Sequence, residues 1–80
     1  MRMKAFAINE QKTKKNERAE ERIIKYFSSY EKAQAYLQEY AENMGYDIKR
    51  NEDGIITGAI FDNKKRSVFI VLTIEAIEIY

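Results

Sequence analysis

Residues 67–80 read SVFIVLTIEAIEIY, and this stretch does most to decide the fold. Its first half is apolar at almost every position and rich in β-branched and aromatic residues, which favours a strand over a helix. A strand that is apolar on both faces belongs at the centre of a sheet, or it buries its second face against another chain. After Ile74 the apolar residues no longer occur at every second position. A bulge at Glu75 and Ala76 would place Ile74, Ile77 and Ile79 on one face of the strand. The pattern therefore predicts a central strand with a bulge near its end.

The composition indicates one small globular domain that lacks the side chains most often used for chemistry. The chain has 80 residues, of which 45% are hydrophobic and 34% charged, as expected for a single domain over residues 1–80. The 14 Lys and Arg residues nearly balance the 13 Asp and Glu residues, so no global field draws the protein to nucleic acid or membrane. The chain has no Cys and no His, which removes thiolate metal sites and the commonest general base. We therefore expect a protein that is not an enzyme and that binds no metal or cofactor.

The N-terminal sequence and the apolar runs predict a cytoplasmic protein. The first ten residues, MRMKAFAINE, are too short and too charged for a signal peptide. No apolar run approaches the roughly 20 residues of a membrane span. The lack of cysteine fits a reducing compartment such as the cytosol.

The first third of the chain predicts two strands joined by a loop. Residues 3–8 alternate as a short strand, with Phe6 and Ile8 on one face. Residues 9–16, NEQKTKKN, have no apolar anchor and read as a flexible basic loop. Residues 17–27 fit either a second strand near 22–27, antiparallel to the first, or a helix with apolar residues at helical spacing. We favour the strand.

A helix over about residues 29–44 is the clearest element in the sequence. Ser28 and Glu31 match the S-x-x-E capping box, in which each side chain accepts a hydrogen bond from a free backbone N–H of the first turn. Gly45 stands where a left-handed C-terminal cap is needed. The helix also carries one apolar stripe at steps of three and four residues. The residues of this stripe are Ala33, Leu37, Tyr40, Ala41 and Met44.

The rest of the chain predicts strands at residues 46–50 and 54–61, and then the C-terminal strand. Residues 51–54 form a turn by composition, and residues 62–66 close a hairpin. Gly58 inside a strand indicates a bulge or a close approach of two backbones. The order is β-β-α-β-β-β, which predicts an α+β fold with one amphipathic helix packed across an antiparallel sheet of four to five strands. The alternative replaces the second strand with a second helix.

The junction between the second strand and the helix resembles a feature of small phage and bacterial domains of unknown function. In these β-β-α-β domains a strand ending in Phe-Ser-Ser leads into a helix that opens with Glu-Lys-Ala. The resemblance covers about a third of the chain, and helix capping alone would select part of it. It implies the fold and an origin in a phage or mobile element, with no activity attached. The matching residues, F-S-S-x-E-K-A, are Phe27, Ser28, Ser29, Glu31, Lys32 and Ala33.

The acidic residues have structural explanations that we prefer to chemical ones. Glu75 and Glu78 come closest to a catalytic carboxylate pair, but charges at a strand end also discourage pairing between sheet edges. Residues 51–53 resemble a fragment of a calcium loop without its distal bidentate Glu, so a turn explains them better. We assign no catalytic, cofactor-binding or metal-binding residue.

Two basic clusters make nucleic-acid binding the second choice among functions. If both clusters lie on the same side of the sheet, they could straddle a phosphate backbone, and six tyrosines offer stacking surfaces. The nearly balanced overall charge argues against this function. The possible nucleic-acid contacts are Lys12, Lys14, Lys15 and Arg18 in the first cluster, and Lys64, Lys65 and Arg66 in the second.

Protein binding is the function that the sequence favours. One helix cannot cover both faces of the sheet, which leaves Phe69, Val71 and Ile77 for another protein or for a second copy in a homodimer. Tyr36, at the edge of the helix stripe, is a further candidate contact. Together with the resemblance, this predicts an accessory protein of a phage or mobile element that inhibits or modulates a host protein. A homodimer with a purely structural role is the third possibility.

Overall fold

The computed structural model describes the backbone of residues 3–79 and the side chains of residues 3–78, so Tyr80 of the predicted C-terminal strand lies outside the described residues. The strands are β1 (Met3–Lys14), β2 (Glu20–Phe27), β3 (Asp47–Arg50), β4 (Ile56–Asn63) and β5 (Val68–Ile79), and the helix α1 (Tyr30–Met44) lies between β2 and β3 in the chain. All strands pair antiparallel in one sheet of order β2-β1-β5-β4-β3. The helix packs across one face, so the predicted α+β fold is confirmed.

The C-terminal strand β5 lies at the centre of the sheet, between β1 and β4, as its composition predicts. Its pairing with β1 is uninterrupted from one end to the other, so the predicted bulge at Glu75 and Ala76 is wrong. Ile74 packs against the core, whereas Ile77 faces the other side, and the side chain of Ile79 lies outside the described residues. A bulge would leave one residue out of the ladder with β1, while the regular register pairs every residue of β5 with one of β1 and still half-buries Ile77.

Strand β1 continues to Lys14, so the predicted flexible loop over residues 9–16 is wrong for residues 9–14. This segment is polar but lies between β2 and β5, and both neighbours hydrogen-bond to its backbone. Asn9 and Glu10 are buried there. The connection to β2 is short and begins with a turn, in which Asn16 has a positive φ of 62° and the Glu17 N–H donates to the Lys14 carbonyl.

Strand β2 confirms the favoured interpretation of residues 17–27, and the helical alternative is wrong. Its pairing with β1 shifts by one residue between Ile8 and Asn9, which leaves Ile24 as the extra residue of a bulge. Ile24 packs against the core, while its neighbour Ile23 is exposed. The bulge thus places two adjacent isoleucines in different environments.

The helix α1 agrees with the prediction except at its N-terminal cap. Ser29, and not Ser28, has the extended backbone of an N-cap, and its Oγ accepts the Lys32 N–H at 3.2 Å. The Ser28 hydroxyl instead accepts from Lys32 Nζ at 3.3 Å. The predicted capping box is therefore wrong by one residue, because the helix begins only at Tyr30. Gly45 has the expected left-handed conformation, with φ 75°.

The core lies between α1 and the sheet face that the helix covers. Of the predicted stripe, Ala33, Leu37 and Ala41 are fully buried and Tyr40 packs at the edge of the core. Met44 is 52% exposed, contrary to the prediction, because it lies in the last turn, where it lines a groove. The central core residues are Ile8, Leu37, Ala41, Tyr46, Ile56, Ala59, Ile70 and Leu72.

The turn at residues 51–54 and the close approach at Gly58 are both confirmed. The Asn51 side chain accepts the N–H groups of Asp53 and Ile55 at 2.9 Å and 3.0 Å, and Gly54 has φ 80°. A Cβ atom at Gly58 would lie less than 3.0 Å from the Leu72 carbonyl oxygen of β5. A bulge adjoins it, because the register between β3 and β4 shifts at Thr57. No helix within residues 3–79 is long and apolar enough to cross a membrane.

Candidate functional site

The sheet face turned away from α1, here called the open face, carries most of the exposed apolar surface. Paired residues of neighbouring strands lie on the same face and successive residues alternate, so the register assigns each side chain to a face. Six large apolar side chains are exposed among the described residues, and four of these lie on the open face. These four are Met3, Ile23, Tyr26 and Phe69.

The apolar residues of the open face form two patches separated by polar side chains. Phe69 and Val71 of β5 lie beside Ile60 of β4 and form the first patch. The second patch surrounds Ile77 and includes Ala5, Met3 and Tyr26, and Ile23 extends it along β2 as far as Asn9. The predicted contact residues Phe69, Val71 and Ile77 therefore share one uncovered face, but they belong to different patches. Polar residues of β1 and β5, centred on Asn9, lie between them.

Asn9 holds two carboxylates side by side at the centre of the open face. Its Nδ2 donates to Glu21 Oε1 of β2 at 2.7 Å and to Glu75 Oε1 of β5 at 3.2 Å. Its Oδ1 is buried and has no hydrogen-bond partner among the described residues. Two anionic groups linked to one amide give the middle of this face a negative potential.

Strands β3 and β4 add to this negative charge. Asp47 of β3 and Asp62 of β4 lie on the open face, because they pair with Ile60 and Phe69. Lys49 is the only cation among the strand residues of this face that the structure describes. The open face is thus apolar and acidic.

A second surface lies at one end of the sheet, where the fold brings both predicted basic clusters together. Because β1 is antiparallel to β5, the end of β1 lies beside the start of β5, and Lys14 pairs with Val68. The Lys15 N–H also donates to the Ser67 carbonyl at 3.1 Å, so the turn after β1 adjoins the turn before β5. We call this surface the basic end, and it holds half of the 14 Lys and Arg residues. Its residues are Lys12, Lys14, Lys15, Arg18, Lys64, Lys65 and Arg66.

An open groove of about 540 Å³ lies at the basic end, on the helix side of the sheet. It exists because α1 ends at Met44 while β1, β4 and β5 continue beyond it. The apolar lining includes Phe61 and Tyr46, whose ring centroids are 5.1 Å apart. Three cations, Lys12, Lys14 and Arg66, also line the groove, and no acidic residue does. The groove therefore combines aromatic surface with positive charge.

Tyr36, the fourth predicted contact residue, lies on neither surface. Its ring packs against Phe27 at 5.2 Å and against Tyr40 at 6.2 Å between centroids, and Lys25 Nζ lies 5.3 Å from its centre. It belongs to a row of aromatic rings along the edge of the core. Packing within the domain covers part of the Tyr36 side chain, and a partner contact through the rest stays a prediction.

The buried acid Glu10 is a residue that the sequence analysis missed. Its Oε1 accepts from Arg22 Nε of β2 at 2.9 Å, and the side chain of Glu10 is only 8% exposed. This hydrogen bond, followed by the attraction of the carboxylate, raises the pKa of Arg22. Phe6, Ile8 and Glu10 alternate on one face of β1, and this alternation could have predicted that the strand continues through Glu10. The polar composition of residues 9–16 favoured a loop instead. Because its carboxylate is paired with Arg22, Glu10 links β1 to β2, and we assign it a structural role.

The acidic residues considered for chemistry do not form a site. Glu75 and Glu78 are three residues apart on an unbulged strand, so they lie on opposite faces and cannot act as a pair. Within residues 3–78 no three acidic side chains are placed to hold a metal ion together. No family model matches this sequence, and no curated protein or solved structure is detectably similar to it. Function must therefore be argued from the two surfaces.

Proposed function

We propose that the protein is a non-catalytic binding domain whose open face docks another protein. The observation that supports this proposal is the concentration of exposed apolar side chains on the open face, which no part of the described chain covers. Burying these side chains against a partner is favourable by about 25 cal/mol for each Å² of apolar surface removed from water. Exposed aromatic side chains such as Tyr26 and Phe69 are also the kind of residue that most often anchors a protein interface.

The charges of the open face favour a particular kind of partner. Glu21 and Glu75 meet at Asn9, and Asp47 and Asp62 lie on β3 and β4, so a complementary partner carries Lys or Arg beside its apolar residues. Two copies of this face packed together would instead oppose acidic groups, which is unfavourable. We therefore propose a different protein as the partner, and a homodimer as the competing outcome.

The biological role that we propose rests on the resemblance at the Phe27 to Ala33 junction. A small accessory protein of a phage or mobile element would use the open face to occlude a surface on a host protein. Such inhibition needs binding and steric exclusion only, and the two acids that came closest to a catalytic pair in the sequence, Glu75 and Glu78, lie on opposite faces of the sheet.

The oligomeric state is the first test of this proposal. Light scattering over a dilution series, at low and moderate salt, is expected to give the mass of a monomer. A persistent dimer that dissociates in the Phe69→Ser variant would show that the open face pairs with itself, and it would refute the proposed heterologous partner.

The second test compares substitutions of matched exposure. Phe69 is 40% exposed on the open face, and Ile55 is 41% exposed in a turn outside it. The partner is identified by capture from host extract, purified and titrated by calorimetry. Phe69→Ser and Tyr26→Ser are expected to weaken binding by about ten-fold or more each, as for interface anchors, while Ile55→Ser leaves it unchanged. Equal affinity in all three variants would refute docking through this face.

A further inference from the structure

We infer that the groove at the basic end binds single-stranded nucleic acid, with phosphates on its cations and a base against Phe61. This inference does not rest on the proposed function, because the groove lies on the helix side of the sheet and the open face on the other. It rests on two features found together in the groove, which are its cations and its aromatic lining.

The cations of the groove are spaced for a repeating anion. Lys12 and Lys14 lie two residues apart on the same face of β1, which places their Cα atoms about 6.8 Å apart. This separation is comparable to that between successive phosphates of an extended nucleic-acid strand. Arg66 lines the same groove from the turn before β5. Arg and Lys bind phosphate through charge-assisted hydrogen bonds. The groove lining itself contains no acidic residue, although Lys12 also lies beside Glu20, its partner on β2, so Lys14 and Arg66 are the freer cations.

The aromatic lining suits a nucleobase. Phe61 is half-buried, and contact with Tyr46 holds its ring in place, with the two planes inclined at 32°. Met44 and Val68 extend the apolar lining, and the cavity of about 540 Å³ is large enough to admit a nucleotide. Stacking on an aromatic side chain tolerates any base, because every base has a flat apolar face.

The cations outside the groove favour a chain over a single nucleotide. Lys15, Arg18, Lys64 and Lys65 lie in the two adjoining turns or next to them, beyond the groove lining. A single nucleotide in the groove cannot reach all of them, but a strand that leaves the groove can. An acidic peptide would also meet the positive charge, although its carboxylate side chains offer no flat apolar group for the aromatic lining.

The test measures fluorescence anisotropy of a labelled oligothymidylate, about 12 nucleotides long, titrated with the full chain. If the three cations of the groove each contact one phosphate, the affinity falls about eighteen-fold between about 50 and about 200 mM salt. A poly-glutamate peptide of similar charge is expected to bind much more weakly. Equal affinity for the peptide would overturn the inference in favour of an acidic partner, and no binding of the oligonucleotide at low salt would overturn it outright.

Substitutions then locate the site. Lys14→Glu and Arg66→Glu are each expected to weaken binding strongly, and together to abolish it. Lys49→Glu, a single charge reversal of the same size on the open face, is expected to weaken binding only slightly. Phe61→Leu keeps an apolar side chain but removes the ring, and a loss of about five-fold or more is expected. Lys14 and Arg66 are exposed, so these variants should fold, which circular dichroism checks. An equal effect of Lys49→Glu would overturn this placement.

The open-face variant Phe69→Ser separates this inference from the proposed function. It is expected to bind the oligonucleotide like the unchanged protein, because its side chain lies on the other face of the sheet. If Phe69→Ser removed oligonucleotide binding while the Lys14 and Arg66 double variant retained it, the site would lie on the open face and the inference would be wrong.

Discussion

Replacement of Gly58 by alanine is expected to destabilise the fold through a backbone collision in the centre of the sheet. A Cβ atom at this position would come closer than 3.0 Å to the Leu72 carbonyl oxygen, with the carbonyl carbon at 3.4 Å and Thr73 Cα at 3.7 Å. The obstacle is the main chain of β5, which pairs with β1 on its other side and cannot rotate away as a flexible side chain would. Strands β4 and β5 must therefore move apart locally.

The expected loss of stability in Gly58→Ala follows from the cost of adding atoms to a tightly packed region. Forcing extra atoms into a core costs about 1–3 kcal/mol, and a collision with a backbone carbonyl puts this substitution at the upper end. Alanine in a strand regains about 0.5–1 kcal/mol over glycine, so we expect a net loss of about 2 kcal/mol. A domain of 80 residues has a free energy of unfolding of about 4–12 kcal/mol. The loss corresponds to a lowering of Tm by about 8–16 °C.

The assay is urea unfolding followed by circular dichroism, with Gly45 as the internal comparison. Gly45 has φ 75° but nothing within 4 Å of a new Cβ, so its substitution is penalised through backbone conformation alone. Asparagine tolerates that conformation, so Gly45→Asn should be milder than Gly45→Ala, whereas Gly58→Asn should be at least as harmful as Gly58→Ala. A Gly58→Ala protein within about 0.5 kcal/mol of the unchanged chain would refute the steric reasoning.

Two further predictions concern the helix cap and alkaline pH. Ser29→Ala should lower the free energy of unfolding by about 1 kcal/mol and Ser28→Ala by much less, because only Ser29 Oγ accepts the Lys32 N–H. Chemical denaturation of the two variants measures both losses. Equal losses would contradict the assignment of Ser29 as the N-cap. Burial, followed by the nearby Tyr40 and Glu10, raises the pKa of Tyr46 above its ordinary value of 10.0. The folded state therefore holds the Tyr46 hydroxyl proton more tightly than the unfolded state does. The stability that this proton contributes is fully present below pH 10 and is lost as the pH rises through the pKa of Tyr46 in the folded state. In thermal melts, Tm should fall less at alkaline pH for Tyr46→Phe than for the unchanged protein. An identical fall in the two proteins would contradict this role of Tyr46.

The open face and the groove of the basic end lie on opposite faces of the sheet, so a ligand on one need not displace a ligand on the other. The open face is apolar and acidic, whereas the basic end is cationic with an aromatic groove. A partner on the open face would leave the groove lining uncovered, so protein and oligonucleotide are expected to bind without direct competition. Competition between the two in solution would indicate that the two sites overlap.

The elements predicted well are those set by local sequence. The stripe of α1, its stop at Gly45 and the turn closed by Asn51 and Gly54 each depend on residues a few positions apart. Helical hydrogen bonds and turn hydrogen bonds are local, so the residues that make them stand together in the sequence. The cap was misplaced by one residue because Ser28 and Ser29 both fit the local pattern.

The elements predicted badly are those set by a distant partner. The polar second half of β1 is a strand because β2 and β5 pair with it on both sides, and Glu10 is buried because Arg22 meets it across the sheet. The bulge of β2 at Ile24 likewise depends on its register with β1. None of these partners is visible from composition, since a strand makes its hydrogen bonds with another segment of the chain.

The amino-acid sequence by itself determined the class of fold, the helix, the central place of β5 and the excess of apolar strand surface on Phe69, Val71 and Ile77. Only the tertiary structure decided the strand order, the pairing of Glu10 and the meeting of Lys14 with the turn that carries Arg66. Hydrophobic periodicity is read along one segment, so the sequence carries it. The neighbours of a strand are chosen by the packing of the whole sheet, so the basic end and its groove exist only once β1 and β5 have paired.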